Sequence, residues 1–376
     1  MNRRMLRPLT LALLHFFLLA HLRLNADDSA RLLRIDHYVP VKSIAPSMTG
    51  KLAQIYVREV VRAGIGLRGS VAPDRVILFV HGAGTPGEVA FDVRYQDYSW
   101  MAHLANAGFD VFAMDMTGYG RSTRPDPMND PCNLTKEQQT QFLSAPCSPD
   151  KAQSVTTPES DWNDIGAVVD HLRKLRGVER VGLVGWSLGG PRAGGYAAQD
   201  PDKVSRLLLF SPAYRRSSST PRQQPATRAA MNTQSRADFD ANWDRQLGCP
   251  DQYDPLAREA VWSEMMAADP VGASWGSGVR RAPNVGFSGW DSSVVAKMQI
   301  PALFVAPVHD VQATPKTIVE LMADYGAKDK ILLDLACASH NALWERNHLL
   351  LFRASLEWFS KGSVNGSREG TVRMGY

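Results

Sequence analysis

Residues 180–190, RVGLVGWSLGG, decide the fold. The run from Arg180 to Gly185 is short and apolar, as a strand buried on both faces requires. Residues 188–199 follow with helical spacing. Between them Gly185-Trp186-Ser187-Leu188-Gly189 matches G-x-S-x-G. A serine on so abrupt a strand-to-helix turn presents its hydroxyl above the carboxyl end of a sheet. The flanking glycines let backbones approach where a Cβ would collide.

Working outward, apolar runs alternate with amphipathic ones. Residues 37–41 and 51–61 read as a leading antiparallel hairpin. Strands follow at 75–80 (RVILFV), 110–114 (DVFAM), 204–210 (VSRLLLF), 301–306 (PALFVA) and 330–335 (KILLDL). Helical spacing marks 98–107, 161–176 and a long stretch over 342–360. This beat means βαβ units: an α/β chain with a mostly parallel, eight-stranded sheet covered by helices on both faces. Two segments break it. Residues 121–160 hold six prolines and two cysteines and read as an insertion. Residues 214–299 open on a Ser/Arg/Pro/Gln-rich run and carry Trp243, Trp262, Trp275, Phe287 and Trp290; they read as a cap inserted at the carboxyl end of the sheet. The expected division is a core over 27–213 and 300–361, a cap over 214–299, and a flexible Gly/Ser-rich tail over 362–376.

The first residues have their own logic. A basic start with Arg3, Arg4 and Arg7 precedes the apolar run LTLALLHFFLLA (9–20), and a polar stretch ends at Ala26. That is the pattern of a signal peptide over 1–26, so a secreted or periplasmic protein is expected, membrane-tethered if the segment stays uncleaved. The run is shorter than the ~20 residues that span a bilayer. The four cysteines, Cys132, Cys147, Cys249 and Cys337, all follow this segment, and export suggests disulfides. Cys132 and Cys147 bracket one polar segment and are the favoured pair, leaving Cys249 for Cys337; four cysteines allow three connectivities. Apolar residues are 44 % and charged residues 21 % of 376, ordinary for a globular chain. The net charge of +4 comes with no basic stripe, so no nucleic acid is expected. No CxxC or Cys/His cluster calls for a metal, and no cofactor is expected.

A serine alcohol is a weak nucleophile and needs a base, which in turn needs an orienting acid. With a serine on such a turn, the acid should follow it in the chain and the histidine should come last. Asp310, after strand 301–306, and His340, after strand 330–335, meet that order at the carboxyl ends of strands, where ligands gather in open sheets. His309 is the rival base but precedes the acid, and Asp334 is the rival acid but lies inside a strand. Beyond the expected signal peptide, the remaining histidines, His37, His103, His171 and His348, read as structural or surface groups. An oxyanion needs two N–H donors: Leu188, directly after the serine, and Ala83 in His81-Gly82-Ala83-Gly84 after strand 75–80, with Gly84 as fallback.

Taken together, HGAG at 81–84, Asp115-Met116-Thr117-Gly118-Tyr119-Gly120-Arg121-Ser122, GWSLGG and the Asp/His spacing resemble the α/β-hydrolase superfamily, over about 37–360 with 214–299 as its variable cap. The resemblance implies a serine hydrolase without metal or cofactor that cleaves a carboxylic ester or lactone, esterase- or lipase-like. A serine nucleophile departs from the aspartate of epoxide hydrolases and haloalkane dehalogenases. The cap aromatics read either as core or as a pocket lining; as a lining they point to a small-molecule ester with an apolar or aryl part. Amidase, peptidase or carbon–carbon hydrolase activity would use the same triad. A peptidase would want a cap carboxylate such as Asp238, Asp240 or Asp244 for the substrate's amine. A non-catalytic binding module is the reading of another class. No specific protein partner is implied. Asn133-Leu134-Thr135 and Asn365-Gly366-Ser367 match glycosylation sequons.

Overall fold

Val76–Val80 illustrates how the centre of the molecule is made. Ile77 and Phe79 enter one apolar cluster and Val76, Leu78 and Val80 the other, so the strand is buried on both faces. The computed structural model describes residues 30–376 except 68, 70, 150–153, 217–228 and 286–288. The signal peptide expected over 1–26 lies outside the described residues, as does Phe287. Strands are numbered in chain order. One nine-stranded sheet runs β1 (Leu32–Lys42), β2 (Leu52–Arg62), β4 (Asp110–Met114), β3 (Val76–Val80), β5 (Val181–Trp186), β6 (Val204–Phe210), β9 (Ala302–Pro307), β10 (Lys330–Leu335), β11 (Gly370–Met374). β2 is antiparallel to β1 and to β4; every other pairing is parallel.

Helix Pro158–Arg176 shows why the covering helices start and stop where they do. Thr157 and Ser160 cap each other, proline takes the first position, and Gly177 ends it with φ +66°. Helix Gly189–Gln199 packs next to it, behind β5 and β6.

Two expectations are corrected. The stretch 362–376, read as a flexible tail, carries the ninth strand: Ile331–Leu335 pair in register with Gly370–Met374. Its glycines are turn residues, with φ +65° at Gly362 and +81° at Gly366, that return the chain to the sheet edge, where Val372 and Met374 bury alternate side chains. The helix expected over 342–360 is broken: a single turn at Ala342–Trp344 precedes helix His348–Lys361. In the break the Glu345 carboxylate is fully buried and accepts from Ser339 N–H (2.9 Å) and Trp243 Nε1–H (3.1 Å).

The segment 214–299 contains helices Arg236–Asp244 and Pro255–Ala268 and an antiparallel pair, β7 (Met231–Ser235) with β8 (Val279–Pro283). Its aromatics are mostly core. Trp243 and Trp262 join Trp186 and Trp344 in one cluster. Trp290 lies on helix Gly189–Gln199, where a Cβ on Gly194 would stand 2.3 Å from its ring. Two disulfides are present, Cys132–Cys147 and Cys249–Cys337, with Cα atoms 5.3 and 5.6 Å apart. No described helix is long and apolar enough to cross a membrane.

Candidate active site

Ser187 has φ +57°, a conformation unfavourable for any residue with a Cβ. The surroundings hold it there. Its N–H donates to Phe210 O (3.0 Å), and its own carbonyl accepts from Gly190 N–H (2.9 Å) and Ala213 N–H (3.0 Å). Close approach makes the glycines obligatory. A Cβ on Gly185 would lie 2.4 Å from Gly189 O, and one on Gly189 would lie 2.2 Å from Val80 O. One on Gly82 would lie 2.8 Å from Ser187 Cβ, which places the loop 81–84 beside the serine. Among the described residues the N–H groups of Ala83, Gly84 and Leu188 donate to no other backbone group.

That loop is fixed by His81 itself and by two polar groups that carry no motif, Arg192 and Asp161. His81 is buried; its Nδ1 pairs with Gly82 O (2.7 Å), and its Nε2 accepts from Met116 N–H (3.0 Å). Burial, and then the charge of Arg192, hold its pKa well below the ordinary imidazole value, so it stays neutral. Arg192 Nη1 donates to the carbonyls of His81 and Gly82, both at 3.1 Å, while its Nε donates to Asp161 (2.7 Å). Arg192, held by Asp161, therefore fixes the carbonyls of His81 and Gly82. In the 115–122 motif, Asp115 accepts from Gly87 N–H (2.7 Å) and Arg121 N–H (2.9 Å), and burial pushes its carboxyl up to about 6. Gly120 is needed because a Cβ there would meet Asp115 Oδ2 at 2.0 Å, and Gly118 because Pro283 of β8 lies across it.

His340 and Asp310 meet directly: Nδ1 lies 2.8 Å from Asp310 Oδ2, and both side chains are nearly fully buried. Asp310 Oδ1 accepts from Gln312 N–H (2.8 Å) and Ala313 N–H (2.9 Å), which fixes the carboxylate. Trp186 Nε1–H donates to His340 O (3.0 Å), so the residue before Ser187 is tied to the histidine. No hydrogen bond joins Ser187 Oγ to His340 in this structure. A neutral imidazole that turned Nδ1–H to the carboxylate would leave Nε2 as its acceptor.

The rivals are occupied elsewhere. A Cβ on Gly248 would stand 2.3 Å from the His309 ring, which lies with Nε2 3.6 Å from Cys249 Sγ. Asp334 accepts from Tyr376 Oη–H (2.8 Å) at the sheet edge. Asp238 caps Ser235, while Asp240 pairs with Arg236 (2.8 Å) and Asp244 with Arg258 (2.5 Å). The three carboxylates a peptidase would want are thus engaged. Among the described residues, no group of His, Cys, Asp and Glu is arranged to hold a metal ion. Arg192, Asp161 and Glu345 carry no motif; only their place behind the loops reveals them.

A family model described as alpha/beta hydrolase fold matches residues 75–292. No curated protein matches the chain. Solved structures of similar shape include a thermophilic esterase from Thermogutta terrifontis, 15 % identical, TM-score 0.53, covering 86 % of this chain and 98 % of that one. Another is a serine hydrolase involved in carbazole degradation, 17 % identical, TM-score 0.50, covering 87 % and 99 %. A bromoperoxidase from Bacillus anthracis is 15 % identical with TM-score 0.50 and covers 87 % and 100 %. At these identities they share the fold.

Proposed function

Because the chain belongs to the α/β-hydrolase family, we propose that it is a serine hydrolase cleaving a carboxylic ester or lactone through Ser187, Asp310 and His340. The observation that carries this is the buried 2.8 Å pairing of His340 Nδ1 with Asp310, beside a serine held at φ +57° on a strand-to-helix turn. Ser187 Oγ attacks the ester carbonyl while His340 Nε2 takes its proton. Asp310 fixes the imidazole tautomer and stabilises the imidazolium. The oxyanion is held by the N–H groups of Ala83 and Leu188, and losing one such donor typically costs roughly 100- to 1,000-fold in rate. Collapse expels the alcohol, which takes the proton from His340. Water then attacks the acyl-enzyme with His340 again as base, releasing the acid and restoring Ser187. The substrate is a small molecule with an apolar or aryl part. Export to an oxidising compartment accompanies this reading, supported by the two disulfides.

The test is turnover of p-nitrophenyl esters, lactones and aminoacyl anilides by the mature protein and its Ser187→Ala variant. Ester or lactone hydrolysis that vanishes in the variant is expected. Hydrolysis that survives Ser187→Ala would remove the nucleophile. Anilide turnover without ester turnover would move the chain to the amidases. Silence on the whole panel, with no labelling by a serine-reactive phosphonate, would favour a binding role.

A further inference from the structure

β8 lays an arginine against the loop that flanks the serine. Arg280 stands opposite Gln234 of β7, and its Nε–H donates to Gln234 Oε1 at 2.8 Å. The tip of the guanidinium rests on Gly84: a Cβ there would lie 1.7 Å from Nη1 and 2.2 Å from Nη2. The absence of a side chain at residue 84 is what admits the charge beside the loop that also touches Ser187.

The surroundings do not neutralise it. Arg124 and Arg281 both pair with Asp269, at 3.8 and 2.6 Å, whereas Arg280 makes no ion pair among the described residues. Two guanidiniums thus share the one carboxylate, and that of Arg280 is the third in the neighbourhood. The adjacent imidazole, His81, is the neutral group described above and supplies no counter-charge. Burial lowers the Arg280 pKa to about 10, so it remains a cation at neutral pH. The Arg280 side chain is half-buried, and its Nη groups, with no protein partner among the described residues, stand open to a ligand anion. With Nε committed to Gln234, the two Nη groups form an open fork of the kind that grips a carboxylate with two hydrogen bonds.

We propose that Arg280 anchors an anion subsite, so that the substrate carries a carboxylate a few bonds from the scissile carbonyl, seated at the Gly84 edge of the site. Gln234 is its positioning residue. The proposal rests on the ester-hydrolase reading and narrows it to half-esters of dicarboxylic acids and related anionic esters.

The test compares monomethyl adipate with methyl hexanoate, which matches it in length but lacks the second carboxylate. Both are assayed by methanol release with the mature full chain. The wild type is expected to favour the half-ester in kcat/KM. The ratio of the two kcat/KM values should fall roughly 10- to 100-fold in Arg280→Gln, the range for a lost hydrogen bond to a charged group. Arg280→Lys should restore part of it. A wild type that prefers methyl hexanoate would overturn the proposal, and so would an equal loss on both esters in Arg280→Gln, the mark of a residue that merely supports the loop. If Arg280→Gln does not fold, the wild-type preference and the Arg280→Lys ratio decide. Methyl hexanoate turnover that depends on Ser187 keeps the ester reading standing whatever Arg280 does. No turnover of either ester overturns the anion subsite, while the ester reading is decided separately by the p-nitrophenyl ester and lactone panel.

Discussion

Ser187 and His340 stand on two flanks of the site that are held by different means. The Ser187 flank is made by the sheet and its own loops. Glycines at 82, 185 and 189 bring β3, β5 and the following helix within van der Waals contact, and Arg192 reaches from that helix to the carbonyls of His81 and Gly82. The His340 flank leans on the inserted segment 214–299. Cys249 bonds to Cys337, three residues before His340; Trp243 donates to Glu345; and Arg346 N–H donates to Gln252 O at 2.9 Å. His309, beside Asp310, packs on the same cysteine. One flank is therefore specified by steric exclusion at short range, and the other by contacts between residues up to about a hundred positions apart. The first should tolerate loss of a distant staple but no added atom. The second should tolerate small steric changes but depend on its staples.

The largest expected effect is on the stapled flank. Cys249→Ser with Cys337→Ser opens a loop with a sequence separation of 88. Its loss should cost about 2–5 kcal/mol of stability. Thermal melting measures it, and the temperature at which hydrolase activity fails should drop with it. Cys132→Ser with Cys147→Ser opens a separation of 15 and touches neither flank. That pair should lower stability less and leave activity intact up to the variant's own melting. Equal loss of activity in the two double variants would break the distinction between the flanks.

On the other flank the reporter is Gly82→Ala. The added Cβ would sit 2.8 Å from Ser187 Cβ and 3.1 Å from Trp186 O, so the loop or the serine must move. A displacement near 1 Å at a reacting centre can cost about 100-fold in kcat/KM, with about 1–3 kcal/mol of overpacking cost in stability. A Gly82→Ala enzyme of wild-type activity would show that the loop yields freely, and the steric account of this flank would fail.

The same division explains what could be read from the chain and what could not. The turn at Ser187, HGAG and the 115–122 motif are legible because steric exclusion acts on neighbours in sequence and leaves glycines at fixed offsets. Asp310 and His340 were found by chain order and strand ends, and the structure does bring them together. Arg192 and Glu345 were invisible: each is an ordinary residue inside a helical pattern until the partner 31 or 102 positions away is known. The ninth strand was hidden because a five-residue edge strand with three exposed residues, among glycines and serines, has the composition of a tail. The cap tryptophans left two readings open. Burial in a core and lining of a pocket demand the same side chains, so composition did not separate them.

The smallest effect is a slope with pH, and it too divides the flanks. Asp164, in the helix behind the Ser187 flank, accepts from Thr117 Oγ1–H at 2.7 Å, and burial pushes its carboxyl from 3.8 up to about 7. In the unfolded chain it ionises freely near its ordinary value, so between about pH 4 and 7 the folded state holds more protons than the unfolded one. Stability from this group therefore falls as pH rises through that window, no more steeply than about 1.4 kcal/mol per pH unit for one proton. Asp269, under the inserted β8, has the opposite sign. Burial raises its pKa, but the hydrogen bonds and charge of Arg281, with Arg124 beside it, outweigh this and hold it below 3.8. Its contribution is present above that value and is lost on acidification. Melting temperatures from pH 4 to 7.5 should thus decline less steeply in Asp164→Asn than in the wild type. In Asp269→Asn the curve over that window should be lowered as a whole with its slope unchanged. Parallel curves for the wild type and Asp164→Asn would mean that the buried carboxyl is already ionised at pH 4. The neutral acid behind Thr117 would then have to be replaced by a solvated anion.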